Sequence, residues 1–208
     1  MAGFEETSTA QADTVVLQKR QLRAELLAKR ESEDALQRAA ADALIKVHLE
    51  ALPAFQAAQT IFCYISMGAE VDTLGLLKNL LASGKTVCVP RCEGKAVMRA
   101  HVLTDMNELH EGVLGILAPP ADAPLLEPAD LDLIVVPCLA CDSSGFRIGY
   151  GGAYYDRYLG ALPSGARATT VALCRESLLL EQVPRESHDI PVDIVVTDKG
   201  VVFCNPAE

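Results

Sequence analysis

The residues with the greatest chemical potential run from Asp142 to Leu159, Asp-Ser-Ser-Gly-Phe-Arg-Ile-Gly-Tyr-Gly-Gly-Ala-Tyr-Tyr-Asp-Arg-Tyr-Leu. Four of the five tyrosines in the chain (Tyr150, Tyr154, Tyr155 and Tyr158) and the glycines Gly145, Gly149, Gly151 and Gly152 are concentrated there. Glycines let a backbone turn its N–H groups inward and come close to a ligand, and a following helix adds partial positive charge at its start, a combination that suits phosphate. Arg147 supplies a guanidinium able to grip phosphate oxygens in pairs. No Gly-Lys-Ser/Thr follows, so the stretch is not a Walker A loop, and its spacing is not that of a Rossmann fingerprint. By its glycines alone it fits a structural loop as well as a phosphate cradle; the arginine, tyrosines and acid together point to a working site. Asp156, about one turn into the helix, can aim a carboxylate at the loop's ligand and share Mg²⁺ with phosphate oxygens, or be a solvent-facing acid favoured near a helix start. Asp189 and Asp193 stand before the last strand as candidates for a second hard ligand, or as turn-forming residues.

Other candidates are dispersed. Lys19 and Arg23, four residues apart, share a helical face; the pair is either two solvated cations or a clamp whose mutual repulsion a bound polyphosphate reverses. Ser66, Met67 and Glu70 follow a strand, and Glu70 is able to accept hydrogen bonds from the amino and imino groups of a heterocycle, or is simply a loop acid. Val89-Pro90-Arg91 ends another strand with a cation that faces either an anionic substrate tail or a surface acid. Cys138-x-x-Cys141 invites a zinc or dithiol reading, but Cys88 and Cys92 lack the paired-knuckle setting that would complete four ligands. His48, His101 and His110 fall in helix or edge segments and carry no assignment.

These residues need a frame to hold them. Residues 1–13 read as a mobile tail, and 14–208 as a single domain. Thr14 caps a helix to about Arg30, with Leu17, Leu22, Leu26 and Leu27 as its apolar face, and Ser32 opens a second helix ended by Pro53. Strands are expected at 60–66, 85–90, 96–103 and 131–137, the last a nearly unbroken apolar run of the kind buried on both faces of a parallel sheet. Two more strands are expected in Ala-Thr-Thr-Val-Ala-Leu-Cys and Asp-Ile-Val-Val-Thr-Asp-Lys-Gly-Val-Val. Helices are expected from the cap Asp72 to Ala82, at 152–162, and over the short Leu-rich run 178–180. The alternation predicts an α/β fold, three layers (α/β/α) around a mainly parallel sheet and preceded by two N-terminal helices, with ligands at the carboxyl ends of the strands.

Composition narrows the function. Eighteen basic against 28 acidic residues leave a net charge of −10, which argues against nucleic acid, whose binding draws its energy from clustered cations. No apolar run is long enough for a membrane span, and the start lacks the basic and apolar regions of a secretory signal, so a cytoplasmic protein is expected. Seven cysteines, mostly inside apolar runs, fit reduced and buried thiols.

In order along the chain stand Lys19-Arg-Gln-Leu-Arg23, Tyr64-Ile-Ser-Met67 with Glu70-Val-Asp-Thr73, Val89-Pro-Arg91, Asp132-Leu-Ile-Val-Val-Pro137, Gly145-Phe-Arg-Ile-Gly-Tyr-Gly-Gly-Ala-Tyr-Tyr-Asp156 and His188-Asp189. With these the chain resembles the 5-formyltetrahydrofolate cyclo-ligase (methenyltetrahydrofolate synthetase) family from about Lys19 to Thr197. The glycine-tyrosine run is highly specific; the amino-terminal motif alone is weak. The resemblance implies ATP- and Mg²⁺-dependent cyclisation of 5-formyltetrahydrofolate to 5,10-methenyltetrahydrofolate, with ADP and phosphate released. A formamide oxygen leaves poorly, so γ-phosphoryl transfer to it gives an iminium phosphate that the neighbouring folate nitrogen attacks. It implies that Lys19, Arg20 and Arg23 hold ATP phosphates and that Arg147, Ile148, Gly149, Tyr150, Gly151, Gly152, Ala153, Tyr154 and Tyr155 form the nucleotide loop. It also implies that Ile65, Met67, Glu70 and Tyr150 to Tyr154 contact folate, that Asp156 and Asp189 hold Mg²⁺, and that Arg147 and Tyr154 act in catalysis. A monomer acting on small molecules is expected; the rival is a non-catalytic relative that binds nucleotide or folate without turnover, and the loss of cations or acids that would mark it is not seen. Ala153 stands where the family usually has a third glycine, Ile148 replaces a common leucine, and Ala118 precedes Pro119 where an acid or amide is common. A Cβ at Ala153 is harmless at negative φ and crowds the loop at positive φ.

Overall fold

The computed structural model describes residues 3–94, 97–163, 165–166 and 168–204, the side chains of 3–13 and 114 excepted. In chain order it forms α1 (Gly3–Ser32), α2 (Ala35–Glu50), α3 (Pro53–Ala57), β1 (Thr60–Cys63), α4 (Leu74–Ala82), β2 (Thr86–Glu93) and β3 (Val97–Leu103). There follow the short strands β4 (His110–Glu111), β5 (Leu117–Ala118) and β6 (Leu125–Leu126), then β7 (Leu133–Val136), β8 (Ala140–Asp142) and β9 (Arg147–Ile148). The chain continues through α5 (Tyr154–Gly160), β10 (Thr169–Leu173), β11 (Leu179–Leu180), β12 (Ile194–Thr197) and β13 (Gly200–Phe203).

The central sheet has the order β13-β12-β10-β7-β1-β2-β3-β6. From β12 through β2 the pairings are parallel, and the outer pairings of β13, β3 and β6 are antiparallel. The inner strands are Val- and Ile-rich without polar alternation because both of their faces are covered. On one face Ile61, Leu133, Val135, Val171 and Val196 pack with Ile45 and Leu49 of α2, Phe55 of α3, and Leu77 and Leu80 of α4. On the other, Phe62, Ile134, Val136, Ala172 and Val195 pack with Leu26 of α1 and Tyr158 and Leu159 of α5. The result is the expected α/β fold in three layers.

Several local expectations are corrected. α1 is helical from Gly3, ahead of Thr14; the side chains of 3–13, over which a mobile tail is expected, lie outside the described residues. Its apolar face is thinner than the leucines imply, since Leu26 is buried while Leu17 is 64% exposed. Asp34 rather than Ser32 caps α2, its Oδ1 accepting from the N–H groups of Leu36 and Gln37. Pro53 does not merely stop α2 but stands at the first position of α3, where its missing N–H costs nothing. Thr73 is the N-cap of α4, with Asp72 Oδ1 accepting from the Leu74 N–H. The run 178–180 is no helix: a 3-10 turn (Glu176–Leu178) passes directly into β11, which pairs with β8.

Between β1 and β2 the chain crosses through α4 on one face, and between β7 and β10 it crosses through α5 on the other. Right-handed crossovers leaving adjacent strands in opposite directions must lie on opposite faces, which opens a crevice past the ends of β1 and β7.

Candidate active site

A cleft of about 800 Å³ occupies that crevice. Its walls come from the segment after β1 (Tyr64 to Glu70), Pro90 and Cys92 of β2, Pro137 after β7, the glycine loop into α5, and the cationic side of α1. The segment Glu186 to Asp189 closes one end, and Val113 to Ala118 forms a further wall.

The glycine loop is held from beneath by a small sheet, β11-β8-β9. Buried Asp142 organises its turn: Oδ1 accepts from the Ser144 and Phe146 N–H groups, and Oδ2 from the Val183 N–H at 2.9 Å. Gly145, at φ +84°, is irreplaceable there, because a Cβ would stand 2.3 Å from the Val192 carbonyl oxygen. Beyond β9 the loop exposes Gly149 to Gly152 to the cleft, and Gly151, beside the Arg23 guanidinium, has the positive φ (+93°) that favours glycine. Ala153 has φ 48°, so the positive-φ alternative of the sequence analysis is the one realised. α5 has only seven residues, so loop N–H groups and side-chain cations contribute more to anion attraction here than a helix dipole does.

Cations and acids interlock along the cleft floor. Lys19, 5% exposed, pairs with Glu186 Oε2 at 2.9 Å and with Asp189 Oδ2. Arg23 Nε donates to the Gly149 carbonyl at 2.9 Å, fastening α1 to the loop. Arg147 donates to Asp156 Oδ1 at 2.9 Å and to the Ile190 carbonyl at 2.6 Å. Asp156 and Asp189 thus both line the cleft but each is engaged by its own cation; the tight carboxylate group is Glu186 and Asp189 with His188, and Asp156 is outside it. Hard carboxylate oxygens of this kind are the donors Mg²⁺ prefers. Tyr154 lines both this cleft and a smaller one of about 450 Å³, with the Arg157 guanidinium over its ring.

The opposite wall centres on Glu70. The Tyr150 hydroxyl, which accepts from Arg30 Nη2 at 2.5 Å, interacts with its carboxylate, and the Met67 N–H donates to Glu70 Oε2 at 2.8 Å. Burial pushes the Glu70 carboxyl above its ordinary range, against the lowering effect of those bonds and of Arg30. Burial likewise raises the Tyr150 hydroxyl, with the Glu70 charge adding to the effect. The loop bearing Glu70 is pinned from behind by buried Arg175, which donates to the carbonyls of Ala69 and Glu70 and to both carboxylate oxygens of Asp42.

Of the residues predicted for the site, Lys19, Arg23, Ile65, Met67, Glu70, Arg147, Gly149 to Asp156 and Asp189 meet in this cleft. Arg20 does not: it is exposed on the far side of α1, one residue being a rotation of about 100° on a helix. Nor does Ile148, whose side chain is 1% exposed and sits in the core beneath the loop. Arg91 points away and donates to the Pro119 carbonyl, while its strand neighbours Pro90 and Cys92 face the cleft. Asp193 caps instead, accepting from the Thr170 N–H and hydroxyl. Cys88 and Cys92 do not join Cys138 and Cys141; the third thiol there is Cys174. Arg30 and Glu186 were missed. Arg30 lies on the helical face of Lys19 and Arg23, eleven residues from Lys19 and so three turns along, and that spacing was the available signal.

Comparison with known proteins converges on one family. The model of the 5-formyltetrahydrofolate cyclo-ligase family matches residues 15–198. A 5-formyltetrahydrofolate cyclo-ligase of Mycolicibacterium smegmatis is 33% identical over 69% of this chain and 76% of its own length. That of Mus musculus is 30% identical over 89% of this chain and 96% of its own. Among solved structures, the 5,10-methenyltetrahydrofolate synthetase of Aquifex aeolicus superposes with a TM-score of 0.80 at 29% identity, covering 91% of this chain and 94% of that one.

Proposed function

Because this chain belongs to the 5-formyltetrahydrofolate cyclo-ligase family, and is thereby an enzyme, we propose that it converts 5-formyltetrahydrofolate to 5,10-methenyltetrahydrofolate with ATP and Mg²⁺ as co-substrate and cofactor. The observation that carries the reading is the meeting, in one cleft, of a phosphate-suited wall and a heterocycle-suited wall. Lys19, Arg23, Arg147 and the N–H groups of the glycine loop make the first; Glu70, Tyr150 and Ile65 make the second.

In this reading the loop between Arg147 and Tyr155 holds the ATP phosphates, and Lys19 and Arg23 neutralise their charge. Glu70 accepts from the amino and imino groups of the folate heterocycle, and Tyr150, held by Arg30, keeps that carboxylate oriented. Tyr154 and Arg147 stand where the γ-phosphate meets the formyl oxygen. The protein's task is to align two substrates and stabilise charge on the transferring phosphoryl group, so no covalent enzyme intermediate is needed. Mg²⁺ would be held by Asp156 and Asp189, with Glu186 beside the latter, and supplies charge neutralisation at phosphate oxygens. Arg147 orients Asp156 for this role through the bond at 2.9 Å. Lys19, paired with Glu186 and Asp189, would be free to turn toward phosphate if those acids held the ion.

The enzyme acts on small molecules as a monomer, without nucleic acid, in the cytoplasm. A net charge of −10 and seven free cysteines suit that setting. Among the described residues no helix is long and apolar enough to cross a membrane. The test is the absorbance of the conjugated methenyl product on mixing protein with 5-formyltetrahydrofolate, with and without Mg-ATP. An ATP-dependent rise, abolished by a chelator, is expected. A flat trace from folded protein that still binds ATP or folate would establish the non-catalytic alternative.

A further inference from the structure

Beneath the glycine loop, outside the cleft chemistry, lies a second group of side chains with its own potential. Cys138, Cys141 and Cys174 place their sulfur atoms within 4.8 Å of one another. They come from separate elements: Cys138 from the turn after β7, Cys141 from β8 and Cys174 from the end of β10. All are buried, at 8%, 0% and 2% exposure. The remaining donors near them are backbone carbonyls, with Cys138 Sγ donating to Leu173 O at 3.2 Å and Cys174 Sγ to Arg175 O at 3.5 Å.

Two features narrow what such a group can hold. It offers three sulfurs, and among the described residues no fourth Cys, His or carboxylate joins them, whereas structural zinc takes four ligands. Its burial also penalises net charge: a monovalent soft cation on three thiolates carries a charge of −2 into the core. A trivalent ion that forms three bonds to sulfur avoids both difficulties. We infer that Cys138, Cys141 and Cys174 form a three-sulfur binding site for trivalent arsenic, taken up as arsenous acid. The reaction is a balanced exchange without oxidation. As(OH)₃ and three thiols give As(SR)₃ and three waters; each S–H proton leaves with a hydroxide, and neutral reactants become a neutral complex. Soft thiolate ligands are the ones that favour soft, thiophilic ions. Entry is from the cleft, since Pro137 lines it and Cys138, the next residue and the least buried of the three, makes the first bond. The site does not depend on the proposed folate chemistry.

The experiment titrates the full-length protein, kept reduced with a phosphine, with sodium arsenite. Bound arsenic is measured after gel filtration and its coordination by X-ray absorption. One arsenic per chain with three sulfur neighbours is expected. Cys138→Ala, Cys141→Ala and Cys174→Ala should each weaken binding by about 100-fold, the scale on which losing one arm of a multidentate ligand set acts. Cys63→Ala, equally buried but outside the group, should leave it unchanged. Two sulfur neighbours, no bound arsenic, or equal weakening by Cys63→Ala would overturn the site. If a cluster variant fails to fold, the sulfur count in the parent protein decides alone.

Discussion

Ala153 is the only non-glycine residue with positive φ among those described, at φ 48°. For an L-residue that region costs about 1–2 kcal/mol, because Cβ approaches the carbonyl oxygen. Glycine relieves the strain but restores about 0.4–1 kcal/mol of freedom to the unfolded chain. Ala153→Gly is therefore expected to stabilise by about 0.5–1 kcal/mol and to raise the melting temperature by about 2 °C, measured by differential scanning calorimetry. A fall would show that the methyl group makes packing contacts worth more than the strain. Glu70 gives a pH-dependent prediction. Its folded carboxyl titrates above the ordinary 4.5, chiefly through burial, so its contribution to stability is full below that value and is lost as pH rises through the raised one. Glu70→Gln should therefore gain stability relative to the parent as pH goes from 4 to 7 in thermal melts. Folate binding has the opposite dependence, since the ionised carboxylate is the better acceptor; the variant should bind about tenfold more weakly at neutral pH by calorimetry, without the parent's loss in acid. Asp156→Asn should lower turnover far more than it lowers folate affinity, and equal losses would count against the proposed role of Asp156 in holding Mg²⁺.

At the scale of elements, the segment after β1 depends on a residue far away in sequence. Arg175 reaches across the sheet edge from the end of β10 to hold the Ala69 and Glu70 carbonyls, and Asp42 of α2 holds Arg175 with both oxygens. Weakening that pairing costs about 2 kcal/mol, the scale of a hydrogen bond to a charged group, because Glu33, 3.7 Å from Arg175, still partly compensates the guanidinium. Asp42→Asn should lower stability by about that amount in urea unfolding and raise KM for folate several-fold, with KM for ATP nearly unchanged. An equal rise in both would place the effect on the whole cleft. None of this coupling was legible in the sequence, because Asp42, Glu70 and Arg175 share no local pattern. The strands were legible, because a parallel sheet covered on both faces enforces apolar runs such as Leu133–Val136. The glycine loop was legible because its glycines, tyrosines and arginine cluster in one short stretch, whereas the reason Gly145 is required, its approach to Val192, is long-range and was not. α1 was only partly read: leucines suggested an apolar stripe, while the structure buries Lys19 and Arg30 alongside Leu26. A helix that contacts the body through cations follows a periodicity that a hydrophobic count does not see.

The whole molecule therefore has two kinds of attachment. The sheet and helices α2 to α5 are joined by continuous apolar burial, whereas α1 is joined by Leu26 with the partly buried Leu22 and Leu27, and by the polar links of Lys19, Arg23, Lys29 and Arg30 to Glu186, Asp189, Gly149, Ser177 and Tyr150. Elements with little buried apolar area open locally at lower free energy than the core does. Three of these cations, Lys19, Arg23 and Arg30, line the cleft, so a ligand that bridges them to the glycine loop binds the closed arrangement and not the open one. By linkage such a ligand closes the helix as well as filling the site, and at a hundredfold excess over its dissociation constant adds about 2.7 kcal/mol against opening. Hydrogen exchange read by mass spectrometry should find α1 exchanging well before β1, β7 and β10 in the free protein, and slowing by up to about 100-fold with saturating ATP. The central strands should hardly change, since their exchange is limited by their own burial. Protection that appeared equally in α2, which does not line the cleft, would mean that ATP stabilises the molecule as one unit and that α1 is no separate closing element.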